Sequence, residues 1–324
     1  MSMLNFIQTA NQLGATKTPF FFLIDFEQNK PLIYPLTTLE QHKIWFKFPD
    51  KSNAIEQSIA KKFELTFTPM ERSLYQEKFH LVKKEIQNGN SYLLNLTVPT
   101  PIQTNYTLAE IFQASRAKYK LLLDDHFVCF SPECFIKIEN NRIYSYPMKG
   151  TINVEEENAL EKLLNSEKEL AEHNTIVDLI RNDLALVAQN IQVTKYRYVE
   201  QVNTHKGAIY QTSSEIRGEL PLHWQNNIGN LLEKILPAGS ISGAPKVKTV
   251  EIIQQAEKQE RGYYTGIFGY FDGDALDSAV AIRYIENDHN QFIFRSGGGI
   301  TALSQCDDEY NEILEKIYVP LSTI

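Results

Sequence analysis

The stretch S-E-K-E-L-A-E-H-N-T-I-V-D-L-I-R-N-D, residues 166–183, contains both a signal for the start of a helix and a pair of carboxylates. Its first serine and Glu169 have the S-x-x-E spacing of a capping box, which predicts that a helix begins here. Glu169 and Glu172 then lie one turn apart on a single helical face. Glu309 and Glu312 repeat this spacing. Such pairs usually form a solvated surface, but both lie among apolar and glycine-rich sequence, so together they predict a site for a hard metal ion.

The composition is that of a folded globular protein with a large core, because 43% of its 324 residues are hydrophobic. The net charge of -8 and the absence of a basic run argue against nucleic acid as the main partner. Cys129, Cys134 and Cys306 form no C-x-x-C pair, so we expect reduced thiols in a cytoplasmic protein. We also expect no membrane association, since no signal peptide or long apolar stretch is present.

Apolar periodicity and turn residues predict an α+β chain rich in antiparallel strands. Asn140 and Asn141 predict a hairpin turn, because asparagine tolerates positive φ, and Gly89 predicts the end of a helix. No repeat or linker interrupts the sequence, which favours a single domain over residues 1–324. The predicted helices span 72–87, 107–118, 156–189, 224–236 and a segment starting near 307, whereas strands are predicted within 19–50, 91–98, 121–130 and 191–220 and on both sides of 287–288.

A glycine-rich segment, G-S-I-S-G-A-P-K at residues 239–246, is similar to a phosphate loop because glycines precede a helix. It fits neither nucleotide fingerprint, since Ala244 follows Gly243 and no G-x-G-x-x-G is present. Taken alone, such a segment is more often a tight turn than a binding site. The sequence also lacks a plausible Ser-His-Asp or Cys-His order of a hydrolase.

Six motifs occur in order and together resemble the chorismate-utilising enzyme family, which includes anthranilate synthase component I, aminodeoxychorismate synthase component I and the isochorismate and salicylate synthases. The resemblance covers residues 72–320, with residues 1–71 as a shortened, strand-rich N-terminal portion. The motifs are P-M-K-G-T (147–151), A-E-H-N-T-I-V-D-L-I-R-N-D (171–183), G-S-I-S-G-A-P-K (239–246), R-G-Y-Y-T-G-I-F-G-Y (261–270), A-I-R (281–283) and G-G-G-I with E-Y-N-E and K (297–316).

The resemblance implies a fold of two packed antiparallel β-sheets with helices outside, and Mg2+ in a central cleft. Glu172 and Glu312 match the principal metal ligands of the family, and Glu169 and Glu309 match supporting ones. Mg2+ takes few protein oxygens and keeps several waters, so it can also bind a substrate carboxylate. Chorismate carries two carboxylates, and the metal would neutralise one of them.

The resemblance also implies which residues hold the rest of chorismate. Arg283 suits the second carboxylate, because its planar guanidinium can bind a carboxylate through two hydrogen bonds. Ser242 stands where the family usually has threonine and keeps the hydroxyl. The positions that match substrate-binding residues of the family are Gly150, Thr151, Ser242, Gly243, Tyr264, Arg283, Gly297, Gly299 and Lys316.

Lys149 points to aminodeoxychorismate synthase chemistry, because the family's anthranilate synthases typically have alanine at this position. The resemblance implies that its amine attacks C2 of the ring while the C4 hydroxyl leaves, and that ammonia then displaces the lysine. Glu133 matches the family's general acid, which protonates the leaving hydroxyl. Lys149 must be neutral to attack, so we expect its pKa to be lowered by burial or nearby cations.

Other positions separate the alternatives within the family. Isochorismate and salicylate synthases have a lysine that activates water near the position of Leu93, but S-Y-L-L-N-L-T offers no base there, so water attack is not expected. Gln211 replaces a family histidine, with a short insertion upstream near His205, and the shortened N-terminal portion argues against tryptophan feedback. An anthranilate synthase component I and a catalytically silent chorismate- or metal-binding partner subunit remain alternatives. The resemblance further implies that a separate glutamine amidotransferase subunit supplies ammonia, and that a separate lyase would make 4-aminobenzoate for folate.

Overall fold

A computed structural model describes residues 1–54, 57, 59, 61–204 and 207–321 of the chain, so the insertion near His205 lies outside the described residues. The helices are α1 (Met3–Ala15), α2 (Arg72–Gln87), α3 (Leu108–Ala114), α4 (Ala159–Asn165), α5 (Glu167–Ala185), α6 (Ile228–Ile235), α7 (Lys246–Glu257) and α8 (Cys306–Glu315). Short 3-10 helices span Leu36–His42, Trp224–Asn227 and Gly239–Ile241. The strands are β1 (Phe20–Ile24), β2 (Leu32–Pro35), β3 (Ile44–Lys47), β4 (Leu65–Phe67), β5 (Leu93–Thr104), β6 (Tyr119–Leu123), β7 (Phe127–Ser131), β8 (Cys134–Glu139), β9 (Arg142–Ser145), β10 (Met148–Asn153), β11 (Gln189–Thr204), β12 (Gly207–Glu219), β13 (Gly243–Ala244), β14 (Ile267–Phe271), β15 (Leu276–Val280), β16 (Tyr284–Asp288) and β17 (Gln291–Thr301).

The strands form two antiparallel sheets, which confirms the predicted α+β fold of packed sheets with helices. Within the described residues, the first sheet has nine strands in the order β10-β12-β9-β8-β15-β14-β1-β2, with β11 also paired to β12. The second has eight, in the order β13-β5-β17-β16-β7-β6-β3, with β4 also paired to β5. Across the part of the chain that is described, no helix is long and apolar enough to span a membrane.

Strand β1 contributes side chains to two hydrophobic cores, because successive side chains of a strand point to opposite faces of its sheet. All five of its residues, F-F-F-L-I, are buried. Phe20, Phe22 and Ile24 join a large core that includes residues of the helices α1, α2, α5, α6 and α7. Phe21 and Leu23 join a second core with residues of β3, β6 and β7, which belong to the other sheet. The first sheet is therefore covered by helices on one face and by the second sheet on the other.

Several predicted elements are confirmed and others are corrected. Helix α2 spans 72–87 as predicted, and both Asn140 and Asn141 have positive φ in the β8–β9 turn. The single strand predicted over 121–130 is wrong: β6 and β7 form a hairpin there, with Asp124 at φ +43° in the turn. The helical region predicted over 156–189 is two helices that end by Ala185, because Ser166 begins a new helix as its N-cap.

Two packing arrangements bring the carboxylate pairs toward one cleft. Helix α5 packs on β10, β11 and β12 of the first sheet, and α8 packs on β17 of the second. In β17, Gly297, Gly298 and Gly299 pair with Thr97, Leu96 and Asn95 of β5, respectively. This run of glycines leaves the backbone of β17 free of side chains beside α8.

Candidate active site

A cavity of about 360 Å³ lies between the two sheets and is bordered by α5 and α8. Both predicted catalytic residues, Lys149 and Glu133, line it. The other predicted site residues in its wall are Glu172, Ser242, Gly243, Tyr264, Arg283, Gly297, Gly299, Glu312 and Lys316. Residues far apart in the sequence thus meet in the wall of one cavity.

Four predicted site residues do not line this cavity. Gly150 lies behind Lys149, and Glu169 lies beside Gly150, since a Cβ at Gly150 would be 2.9 Å from Glu169 Oε2. Glu309 is buried under the glycine run of β17. Thr151 is exposed on β10, opposite Gln211 of β12, so the structure places Thr151 and Gln211 outside the cavity wall.

Lys149 is directed into the cavity by an irregularity in β10. The register against β12 shifts between Met148 and Thr151, and Gly150 has φ +91°, in the region that favours glycine. Lys149 Nζ forms an ion pair with Glu172 Oε2 at 2.8 Å.

The charges around Lys149 decide its protonation. Burial by itself lowers the pKa of Lys149, but attraction to Glu172, and more weakly to Glu312 and Glu169, outweighs burial and raises it. The expectation of a lowered pKa is therefore wrong for the arrangement of charges in this structure. Lys149 is an ammonium ion when it is paired with Glu172.

Glycines give the carboxylate pairs room to approach the cavity. A Cβ at Gly298 would lie 3.2 Å from Glu309 Oε2 and 3.8 Å from Glu312 Oε1, so both carboxylates sit against the backbone of β17. A Cβ at Gly150 would crowd Glu169 in the same way. On α5, Ser166 Oγ accepts a hydrogen bond from the Glu169 backbone N–H at 3.3 Å, which confirms the predicted helix start.

The carboxylates suit Mg2+ in their chemistry, because Mg2+ prefers oxygen ligands and binds through one or two carboxylates plus water and substrate oxygens. The described residues contain no cluster of three or more His, Cys, Asp or Glu side chains arranged as a metal site. Instead, Glu172 is bonded to Lys149 at 2.8 Å and Glu312 to Lys316 at 2.6 Å. The donor set fits an ion held by few protein groups better than a fully caged one.

Arg283 supplies a positive charge for an anion. Its guanidinium makes no ion pair or hydrogen bond within the described part of the chain and stacks on the Tyr318 ring at 5.4 Å. Lys316 Nζ donates to the Gly297 carbonyl at 2.8 Å, and burial lowers the pKa of Lys316 although Glu312 opposes this. Burial raises the pKa of Tyr264 to about 12, so its hydroxyl stays a neutral hydrogen-bonding group.

Glu133 lies in the short connection between β7 and β8, where its backbone N–H donates to Ser131 Oγ at 3.1 Å. Burial raises the pKa of the Glu133 carboxyl, whereas a hydrogen bond from Ser240 and the charge of Arg283 lower it. A carboxyl with a raised pKa keeps its proton more readily at neutral pH, as a general acid must.

Ser240 was not predicted as a site residue, but its hydroxyl donates to Glu133 Oε1 at 2.5 Å. Ser242 of the same loop was predicted, but its Oγ donates to the Ala238 carbonyl at 2.8 Å, within the loop itself. Asn95 and Ser296 were also missed. Both line the cavity and have a buried side-chain oxygen without a hydrogen-bond partner in the described structure.

Comparisons with known proteins show which family the chain belongs to. A family model described as chorismate binding enzyme matches residues 36–322. The chain is 57% identical over 323 residues to an uncharacterized PabA-like protein of Pasteurella multocida, covering 99% of this chain and 100% of that protein. It is 34% identical over 266 residues to aminodeoxychorismate synthase component 1 of Escherichia coli, covering 76% of this chain and 57% of that protein. Among solved structures, the menaquinone-specific isochorismate synthase of E. coli has the same fold, with a TM-score of 0.73, 17% identity and coverage of 97% of this chain and 80% of that one.

Proposed function

Because the chain belongs to the chorismate binding enzyme family, we propose that it is an aminodeoxychorismate synthase component I that converts chorismate and ammonia to 4-amino-4-deoxychorismate. The observation that carries the proposal is the amine of Lys149 in the wall of the same cavity as the carboxyl of Glu133. The similarity to the E. coli aminodeoxychorismate synthase component supports it, although the chain spans little more than half the length of that relative.

Chorismate would be held by charges at two places in the cavity. The Arg283 guanidinium stacks on the Tyr318 ring and lines the cavity, so it would bind one substrate carboxylate through its planar fork. Glu172 and Glu312 would hold Mg2+, with Glu169 and Glu309 supporting them. When bound, the ion supplies positive charge that neutralises the other carboxylate.

Lys149 and Glu133 would perform the first displacement. Lys149 Nζ, which lies 2.8 Å from Glu172 Oε2, would first give up its proton to water, and the neutral amine then forms a bond to C2 of the ring. Both double bonds of the ring shift by one position, the C4–O bond breaks, and Glu133 protonates the departing oxygen to give water. The lysine is now covalently attached to the ring.

Ammonia would complete the reaction. It forms a bond to C4, both double bonds shift back, and the C2–N bond to Lys149 breaks, which returns the lysine as an amine. The new ammonium group on C4 gives one proton to the Glu133 carboxylate, so the acid is restored and the sum is chorismate plus ammonia to aminodeoxychorismate plus water. We propose that a glutamine amidotransferase subunit supplies the ammonia and that a separate lyase converts the product to 4-aminobenzoate for folate.

Product identification tests this proposal. The pure chain is mixed with chorismate, Mg2+ and ammonium, with and without an added aminodeoxychorismate lyase, and the products are separated by chromatography and identified by mass. We expect 4-aminobenzoate that depends on the lyase. Anthranilate formed without the lyase would instead identify an anthranilate synthase. No turnover, even with an amidotransferase subunit added, would identify a silent chorismate- or metal-binding subunit.

A further inference from the structure

Ser240 and Glu133 stand together at a partition between two cavities. A second cavity of about 20 Å³ adjoins the large one, and Glu133, Pro147, Gly239 and Ser240 line both. The Glu133 side chain therefore has space on either side of this partition. At this partition Ser240 Oγ donates a hydrogen bond to Glu133 Oε1 at 2.5 Å.

The loop that carries Ser240 is held from both ends by buried contacts. Before Ser240, Gly239 packs so closely against α5 that a Cβ there would lie 2.8 Å from Asp183 Oδ2. After it, the Ile241 carbonyl accepts a hydrogen bond from the buried Arg261 Nη1 at 2.9 Å. Lys246 closes the loop through an ion pair with Asp183 at 2.8 Å. The Ser240 hydroxyl is thus a fixed donor.

We propose that Ser240 is a positioning residue whose hydroxyl holds the Glu133 carboxyl toward the large cavity, where it acts on the substrate. This inference rests on the proposed function, in which Glu133 is the general acid. Ser240 does not need to touch the substrate, because its effect on the reaction passes through Glu133.

The charged and titratable groups around Glu133 come from four places in the fold. Arg283 precedes β16 and attracts the Glu133 carboxylate. Asp183 of α5 lines the smaller cavity but is paired with Lys246. Cys134 and Tyr146 line it as well, and burial raises the pKa of both groups, so they stay neutral near pH 7. The Ser240 hydrogen bond lowers the pKa of Glu133, so its loss is expected to raise that pKa.

The test compares variants by their rate of chorismate consumption with ammonium and Mg2+. We expect Ser240→Ala to lower kcat about 10- to 100-fold, at or below the lower end of a general acid's contribution, with little change in the KM for chorismate. The alkaline limb of its pH–rate profile should move to higher pH. Ser240→Thr should retain activity whereas Ser240→Val, of the same shape without the hydroxyl, should not. This pair keeps the test decisive if the alanine variant folds poorly.

Two controls separate positioning from loss of structure. Ser145→Ala removes another buried hydroxyl from the smaller cavity, one that donates to the Phe135 carbonyl at 3.1 Å rather than to Glu133, and it should keep kcat and the pH profile. In a Glu133→Gln background, Ser240→Ala should have no further effect on kcat.

An equal loss of kcat in that background, or a change in KM alone, would overturn the role of Ser240. If the wild-type chain makes anthranilate, the proposed function fails but the Ser240 comparison still stands on chorismate consumption. If the wild-type chain with an amidotransferase subunit consumes no chorismate, both fail.

Discussion

Substitution of Gly150 by alanine should damage both stability and activity, because two separate costs meet at this residue. Its φ of +91° disfavours any residue with a Cβ by about 1–2 kcal/mol. The new Cβ would also lie 2.9 Å from Glu169 Oε2 and 3.2 Å from Thr212 Oγ1. Crowding of this kind adds about 1 kcal/mol where the neighbours can shift, so we expect a total loss of about 2–3 kcal/mol.

Gly89→Ala is the matched control for this prediction. Gly89 also has positive φ, +77°, but a Cβ there meets nothing within 4 Å. We therefore expect only the backbone cost of about 1–2 kcal/mol and unchanged activity. Gly150→Ala should additionally displace Lys149 and lower kcat about 10- to 100-fold, since small misplacements of reacting groups are expensive.

Urea denaturation at pH 7 measures the free energy of unfolding of both variants, and chorismate consumption measures their activity. The reasoning predicts that Gly150→Ala is the less stable variant by about 1 kcal/mol, the crowding cost. Equal stability of the two variants, or full activity of Gly150→Ala, would refute the claim that this glycine makes room for Glu169 and directs Lys149.

Three further predictions concern Lys149, Glu312 and Asp277. Lys149→Ala should reduce aminodeoxychorismate formation from chorismate and ammonium by about 1,000-fold or more, as expected for loss of a nucleophile. Lys137→Ala is the control, because Lys137 has a similar exposure but lies outside the cavity, and it should leave the rate unchanged. Undiminished product from Lys149→Ala would exclude Lys149 as the nucleophile. A chelator should abolish turnover, and added Mg2+ should restore it. Glu312→Gln should raise the Mg2+ concentration needed for half-maximal activity about 10-fold or more. Full activity in the presence of the chelator would exclude a requirement for the metal. Burial raises the pKa of Asp277 from 3.8 to about 6. The stabilisation that protonated Asp277 gives the folded state is therefore complete below the unfolded pKa and is lost as pH rises through about 6. Asp277→Asn should match the wild type in free energy of unfolding at pH 4 and exceed it by up to about 3 kcal/mol at pH 8, and equal urea midpoints of the two proteins at both pH values would contradict the shift.

The sequence predicted correctly those helices and turns that are determined by neighbouring residues in the chain. The helix over 72–87 and the turn at Asn140 and Asn141 follow from periodicity and from asparagine's tolerance of positive φ. Asp124 interrupts a run of apolar residues without glycine or asparagine beside it, so the β6–β7 hairpin was missed. Aspartate also tolerates positive φ, and its φ of +43° shows that this was the available signal.

Sequence motifs predicted the site residues whose type the motif specifies. They did not predict properties that depend on which residues the fold brings into contact. The motifs located Lys149 and Glu133, and both line the cavity. The direction of the Lys149 pKa shift was predicted wrongly, because burial is outweighed by carboxylates that α5 and α8 bring near. Ser240 was missed because its partner, Glu133, lies 107 residues earlier in the chain.

The pairing of β5 with β17 affects when, during folding, the protein becomes able to bind its substrate. Leu93 lies opposite Thr301 in this pair, so the cavity requires two segments from distant parts of the sequence to meet. Contacts between distant segments form slowly, because loop closure must come first. In refolding from urea we therefore expect helix content to return before chorismate binding does. Until α8 docks beside this strand pair, the chain carries all its chemical groups but has no place to use them.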